Sequence, residues 1–428
     1  MLNKLLPTPR DLPSEQSVVL RRNLFVHLFD GSFYVLGMSF VAIPTVYPIF
    51  IKELGGGPLA VGSVYVLWAL GSNIYAVFIA QRIKRARYFK PQMVNWGFIH
   101  RFMLFVSGIV AAVVVPVVPS SVSVPVFLSF IFLTALFGNM SGLPWFLVYA
   151  KTVPVSLRGR LMGLRQLIGS AAGAFGGYAV GFIIQSIVFP FNFSILFFVG
   201  FLFVMVSFYF LSQIKEHPTE QPESDVKFSS HIIGDAKRIL RANKNFRNYI
   251  VADALILMSM STMSFYSIYA VEKFSLPPSS AGTFSVIVMI TNIFSNIVFG
   301  IVADYYGHKV NVMSIAAAFG LAALSAILSP NIFLYGFVFV FIAGAIQIQM
   351  ISRMPFVAEL SSERERPLYV GITTTLTAPA MLLGIVSGVL IHSVGYEVIF
   401  LATAVIAGSA VYVLAAKVHD PRFQRNAR

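Results

Sequence analysis

Six ionisable side chains stand inside long apolar runs of this sequence: His27 and Asp30, His100 and Arg101, Arg165, and Asp253. A charge at the centre of a bilayer costs about 2.5–3.5 kcal/mol by insertion scales, so such residues are expected to be paired or functional. Two chemistries suit them. One is a structural ion network on one face, in which Asp30 pairs with Arg101 or Arg165 and Asp253 takes part. The other is proton transfer, with Asp30 taking up and releasing a proton and His27, one helical turn away, orienting it.

Uncharged polar groups deeper in the runs are candidates for a solute cavity: Tyr34, Asn139, Trp145, Tyr266, Asn292, Asn296, Gln347 and Gln349, with Ser141, Ser261, Ser264 and Tyr269 beside them. Asn292 and Asn296 lie one turn apart and share a helix face. Ser hydroxyls in helices usually satisfy backbone carbonyls, so the amides and large aromatics carry more weight. With no deep unpaired charge evident, the set suggests a neutral or zwitterionic, partly polar solute.

The elements that must position these residues follow from composition. Hydrophobic residues make up 57% of the chain and charged residues 11%, which excludes an ordinary soluble domain. Twelve stretches approach the ~20 apolar residues needed to cross a hydrocarbon core: 24–51, 58–80, 92–117, 123–150, 161–186, 190–213, 248–271, 280–303, 310–329, 331–357, 368–391 and 396–416. They are too long for strands, and no alternating pattern suggests a barrel. Helices then satisfy the backbone in lipid, so the expected fold is an all-α polytopic membrane protein.

The net charge of +14 does not point to nucleic acid, because of where it falls. Of 31 Lys and Arg residues, all but Lys52, Lys273 and Arg101 lie in the tails and in every second connection. That is the positive-inside pattern with both termini cytoplasmic, as in a bacterial-type inner (plasma) membrane. Residues 1–22 read as a cytoplasmic tail rather than a signal peptide. The chain has no cysteine, which excludes disulfides and thiolate chemistry. No metalloprotease, phosphate-loop or Ser-His-Asp pattern is present, so neither an enzyme nor a bound cofactor or metal is expected.

The polar segment 214–247 divides the spans six and six, giving bundles over 23–213 and 248–417 and a tail at 418–428. Within it, Ile232, Ile233, Ala236, Ile239 and Leu240 share a helical face beside Lys237, Arg238 and Arg241, as in a short amphipathic helix on a membrane surface or a simple tether. The halves echo each other weakly. Arg22-Asn23 and Arg247-Asn248 open the first and seventh spans, Asp30 and Asp253 follow, and Pro144 and Pro355 sit near equivalent ends. Gly169, Gly173, Gly177 and Gly181 recur every fourth residue, with a thinner stripe of Ala380, Gly384 and Gly388 in the eleventh span. Such stripes let a neighbouring backbone approach closely.

Between the eighth and ninth spans runs Gly300-Ile-Val-Ala-Asp304-Tyr-Tyr-Gly307-His308-Lys309. It resembles the Gly-x-x-x-Asp-x-x-Gly-x-Lys/Arg loop of the major facilitator superfamily (MFS) of secondary transporters, and the resemblance extends in architecture to the whole chain. It implies two pseudosymmetric six-helix bundles around a midplane site. It also gives Asp304 the role of inner-gate acid, Gly307 the turn and Lys309 the basic end. The first-half copy is degenerate, with Gln81 and Lys84 replacing the acid and the glycine. Pseudosymmetry then sets Asp304 against Arg158 and Arg160, and the run from Arg82 against Glu359, Glu363 and Glu365. Proton-coupled members of the family often carry an acid on the first helix, where Asp30 stands.

The expected protein is therefore a secondary active transporter of a small organic solute, working by alternating access with proton coupling as a monomer in the lipid bilayer. Its rivals are a multidrug/proton exporter, although Ala174 and Tyr178 interrupt the antiporter glycine-proline motif, and a membrane-embedded enzyme or lipid-handling protein built on His27, Asp30, His100 and Arg101. A non-transporting sensor would want a larger soluble domain than the tails provide.

Overall fold

The computed structural model describes residues 14–74, 86–218, 232–362 and 365–422. Helices α1 (Ser14–Ser39), α2 (Val46–Glu53), α3 (Pro58–Ile74), α4 (Lys90–Ile109, extended by a π turn to Val114), α5 (Ser120–Thr152), α6 (Val155–Ser186) and α7 (Phe191–Ser212) build the first bundle. After α8 (Ile232–Ala242), the second bundle holds α9 (Lys244–Ser261), α10 (Met263–Lys273), α11 (Ser280–Tyr306), α12 (His308–Leu328), α13 (Ile332–Glu359), α14 (Arg366–Thr377) and α15 (Leu383–Lys417). No strand occurs among the described residues. Nine helical stretches among them are long and apolar enough to cross a membrane. The elements are consistent with twelve spans, because α15 is two helices joined at Gly395, whose φ of 83° breaks the helix.

Several boundaries differ from the sequence reading. The first helix begins at Ser14, so residues 14–22 of the expected tail are helical. The run 24–51 is split between Ser39 and Val46, around Pro44, which has no backbone N–H to donate. Gly307 is the turn the loop motif calls for, with φ 92° ending α11 just before α12 begins.

The helices alternate in direction, so both ends of the described chain and the approaches to the connection between bundles share one side, the terminal side. Equivalent clasps close each bundle there. Asn23 donates to the Lys215 carbonyl and accepts from the Lys215 amide, both at 2.9 Å. Asn245 does the same with His419, at 2.8 and 2.7 Å. The residue matching Asn23 is thus Asn245, not Asn248, whose side chain instead donates once to the Lys417 carbonyl. The buried face of α8, Ala236 and Ile239, joins the apolar core of the second bundle, while Lys237, Arg238 and Arg241 are exposed.

The bundles meet through α6 against α11 and through α3 against α10 and α15. Side chains are nearly absent where they touch. A Cβ on Gly282 would strike the backbone of Gly181 and Gly177, and one on Gly62 would strike the Gly384 carbonyl. Gly388 lies equally close to Pro58. All of these residues sit in the halves of their helices away from the terminal side. There Thr45 and Ser285 also hydrogen-bond across the seam at 2.7 Å, and Lys52 pairs with Glu272 at 2.6 Å. Gly159 and Gly163 on α6, Gly300 on α11, and Gly142 and Gly371 on α5 and α14 have no neighbouring atom within 4 Å of a Cβ position. Among the described residues, the glycine contacts that join the two bundles lie toward the far side.

Candidate functional site

The ionisable residues form two separate networks, one in each bundle, rather than a single one. In the first, Asp30 on α1 sits between two arginines. Arg165 of α6 reaches its Oδ2 at 3.1 Å, and Arg101 of α4 approaches Oδ1 at 3.7 Å. Ser207 of α7 donates to Oδ1 at 2.8 Å and accepts from Arg101 Nη2 at 3.0 Å. Arg101 is otherwise committed to carbonyls, with Nε on Val204 at 2.8 Å and Nη1 on Gly97 at 3.0 Å. Arg165 lies over the Trp145 ring, 4.6 Å from its centroid, and its guanidinium occupies the space a Cβ on Gly31 would fill.

The hydrogen-bond pattern gives each histidine one proton. His100 Nδ1 faces the Thr134 carbonyl at 2.9 Å and so donates, which leaves Nε2 to accept from Tyr34 Oη at 3.2 Å. Thr152 donates to the Val148 carbonyl, so its hydroxyl accepts from His27 Nε2 at 2.9 Å. His27 Nδ1 is left buried without a partner. His27 therefore does not touch Asp30; it packs edge-on against Tyr149 and Trp145.

In the second bundle Asp253 of α9 is held by the guanidinium fork of Arg353 of α13, at 2.8 and 2.7 Å. Arg353 also donates to Thr377 at 3.2 Å, and Tyr249 donates to Asp253 at 3.4 Å. Arg353 is missing from the sequence-derived set because it counts there as a connection charge. Its place inside the apolar run 331–357, two residues before Pro355, is the signal that marks it.

The expected cavity residues divide. Asn296 joins α11 to α13 by donating to Gln347 at 3.1 Å, and its neighbour Asn292 keeps a buried Oδ1 with no partner. Gln349 is half-buried and Asn139 donates to the Ala135 carbonyl. Tyr34 and Trp145 belong to the Asp30 network. Tyr266 does not line an opening; it is fully buried, stacked on Phe400 with centroids 4.5 Å apart.

None of the gate contacts expected on the terminal side is made among the described residues. Asp304 is exposed and forms no ion pair among the described residues. Arg158 turns back to the carbonyls of Val153 and Ala150, where it caps α5. Arg160 is exposed and Lys309 half-buried. Glu359 pairs with Arg422 at 3.0 Å, and Asp420 and Arg422 lie against Gly307. Gln81, Arg82, Lys84 and Glu363 lie outside the described residues.

Comparison with known proteins agrees with this architecture. The family model described as Major Facilitator Superfamily matches residues 254–428. No curated protein matches the sequence. Among solved structures, the nucleoside transporter NupG superposes with a TM-score of 0.72 at 16% identity, covering 93% of this chain and 100% of that one, in a mutant form. A D-xylose-proton symporter gives 0.67 at 14%, with 94% and 98% coverage. A bacterial homologue of the human lysosomal transporter Spinster gives 0.59 at 13%, with 96% and 100% coverage. The far-side glycine contacts, the Gly307 turn, the family model matched over the second half and the architecture shared over nearly the whole chain together give this protein the fold of major facilitator superfamily transporters.

Proposed function

We propose that the chain is a secondary active transporter that carries a small organic solute across the plasma membrane by alternating access, with its terminal side cytoplasmic and with proton coupling through Asp30. The observation that carries this reading is the uneven seam. Gly177 and Gly282 bring α6 and α11 into backbone contact at one end, whereas Gly163 and Gly300 of the same helices face open space at the other. A permanently packed pair of bundles would have no reason to leave the two ends unlike. A carrier needs one seal at a time.

Coupling follows from charge. Asp30 is the carboxylate that holds two guanidiniums, and protonating it would release Arg165. A proton and a solute that both act on Arg165 would then bind in a linked way. Basic residues concentrated on the terminal side support its cytoplasmic placement.

Purified protein in proteoliposomes tests the reading. Solute uptake should rise when an inward-directed proton gradient is imposed, and Asp30→Asn should lose that response. Uptake driven equally well by the gradient in Asp30→Asn removes Asp30 from the coupling role. Absence of flux for every solute class removes the transporter reading itself.

A further inference from the structure

The first bundle holds more buried cation than anion. Arg101 and Arg165 converge on the single carboxylate of Asp30, while His27 and His100 each carry one proton and no charge. No other acid can restore the balance, because the sequence contains no Asp or Glu at all from Leu54 to Lys215. The flanking acids are committed or remote. Glu216 caps the start of α4 and pairs with Lys151 at the terminal side, and Glu53 lies at the far side, next to the Lys52 of the seam. In the second bundle Asp253 and Arg353 cancel. The membrane interior of the described chain thus carries one uncompensated positive charge, an arrangement that persists only where something external answers it.

The spare charge can be assigned to one residue. Arg101 has an oxygen acceptor on each of its three nitrogens and a side chain 5% exposed. Arg165 has one oxygen acceptor, Asp30, on Nη2. Its Nε is buried without a partner, and its Nη1 meets only the soft Met162 sulfur at 3.5 Å. Its side chain keeps 11% of its surface. The guanidinium is seated between the Trp145 ring and the bare backbone of Gly31, so little side-chain freedom remains to be lost on binding. A planar guanidinium with free N–H groups matches a carboxylate in two-point geometry.

Resting on the transporter reading above, we propose that the transported solute is an organic monoanion whose carboxylate binds Arg165 in competition with Asp30. While Asp30 is ionised, arrival of the anion brings the first bundle to neutrality; a proton then taken up by Asp30 frees Arg165 for the anion and returns the bundle to the net charge of the empty carrier. The neutral-solute expectation drawn from the sequence is replaced, because it treated Arg165 as fully spent on Asp30.

The test uses full-length protein in detergent and in proteoliposomes, with acetate, lactate, benzoate and octanoate as probes. Benzamide serves as the neutral partner of benzoate, uridine and D-xylose as neutral polar solutes, and inorganic phosphate as the other oxyanion. We expect at least one carboxylate to raise the melting temperature and to enter vesicles, with benzamide and phosphate inactive. Arg165→Gln should weaken that binding roughly 10- to 100-fold, the loss of charge-assisted hydrogen bonds, and Arg165→Lys should fall between. The pair Asp30→Asn with Arg165→Gln removes one charge of each sign and so keeps the net charge of the parent bundle, guards against simple misfolding, and should remain unresponsive to carboxylates. Phosphate binding with carboxylates silent would overturn the carboxylate assignment. Uridine or D-xylose transport that survives Arg165→Gln, with every carboxylate inert, would overturn the anion proposal while leaving the transporter reading intact. Failure of all solutes would remove both.

Discussion

Thr45 of the first bundle and Ser285 of the second share a buried hydrogen bond of 2.7 Å. It lies at the far end of the seam, near the Lys52–Glu272 pair and the glycine contacts, and ties the residue that precedes α2 to α11. Backbone contact of this kind is short-ranged and geometrically exact in its demands, so it can be lost over a small rotation and re-made on return. This suits a joint that must open in every cycle better than interdigitated large side chains would.

Enlarging the joint should bias the cycle. Gly282 is helical, so a side chain there costs no backbone strain, but its Cβ would enter the Gly181 backbone. Overpacking of this sort costs about 1–3 kcal/mol, roughly tenfold or more in a two-state population. The chain has no cysteine, so a Met289→Cys reporter in the seam, beside Gly173, can be read with an impermeant maleimide without background. Gly282→Leu should increase labelling from the far side about tenfold. Unchanged labelling would mean that the seam is static packing.

Asp304 should matter only in the state not seen here. It is exposed and forms no ion pair among the described residues, and an exposed substitution is expected to change stability by no more than about 0.5 kcal/mol. Asp304→Asn should therefore leave the melting temperature of the protein where it is. If Asp304 closes the terminal side in the opposite state, the same substitution should lower far-side labelling of Met289→Cys, because the sealed form gains population. Equal labelling in both proteins would strip Asp304 of its gate role.

What the sequence reveals, and what it hides, divides along physical lines. The glycine stripe is readable because backbone approach requires small residues at a helical period, and Gly177 and Gly181 are found doing that. Gly307 is readable because a tight turn with positive φ selects glycine. The pairing of Asp30 with Arg165 and Arg101 is anticipated by the cost of a lone charge in lipid. Arg353 is hidden by a counting convention at the edge of a span. The partners of Asp304 and Glu359 are hidden for a deeper reason: which side of the carrier is open is a property of a conformational state, and one sequence encodes both. Tyr266 is hidden because a tyrosine can turn its ring into a core as readily as its hydroxyl into a cavity.

The Asp253–Arg353 pair is expected to be structural. Both groups are buried and joined at two points. Removing one partner of a buried pair costs about 3–5 kcal/mol, because the other is left charged and alone. Asp253→Asn should lower the melting temperature sharply, and adding Arg353→Gln should recover much of the loss. If the double variant is no better than the single one, the cost resides in shape and in the Thr377 contact, not in the stranded charge.

Gly31→Ala offers the cleanest separation of folding from binding. Gly31 lies within α1 in helical conformation, so alanine should favour the helix locally, by up to about 1 kcal/mol. Its methyl group, however, would occupy the position of the Arg165 Nε and Cζ atoms. The guanidinium must leave its seat between Gly31 and the Trp145 ring, and Asp30 retains Ser207 and Arg101 while losing Arg165. The variant should therefore reproduce the loss of carboxylate response seen in Arg165→Gln without removing the arginine. Any fall in melting temperature should be small, since Arg101 still answers the carboxylate. Normal carboxylate binding in Gly31→Ala would show that Arg165 works equally well outside its seat, and the preorganised fork would then have no part in recognition.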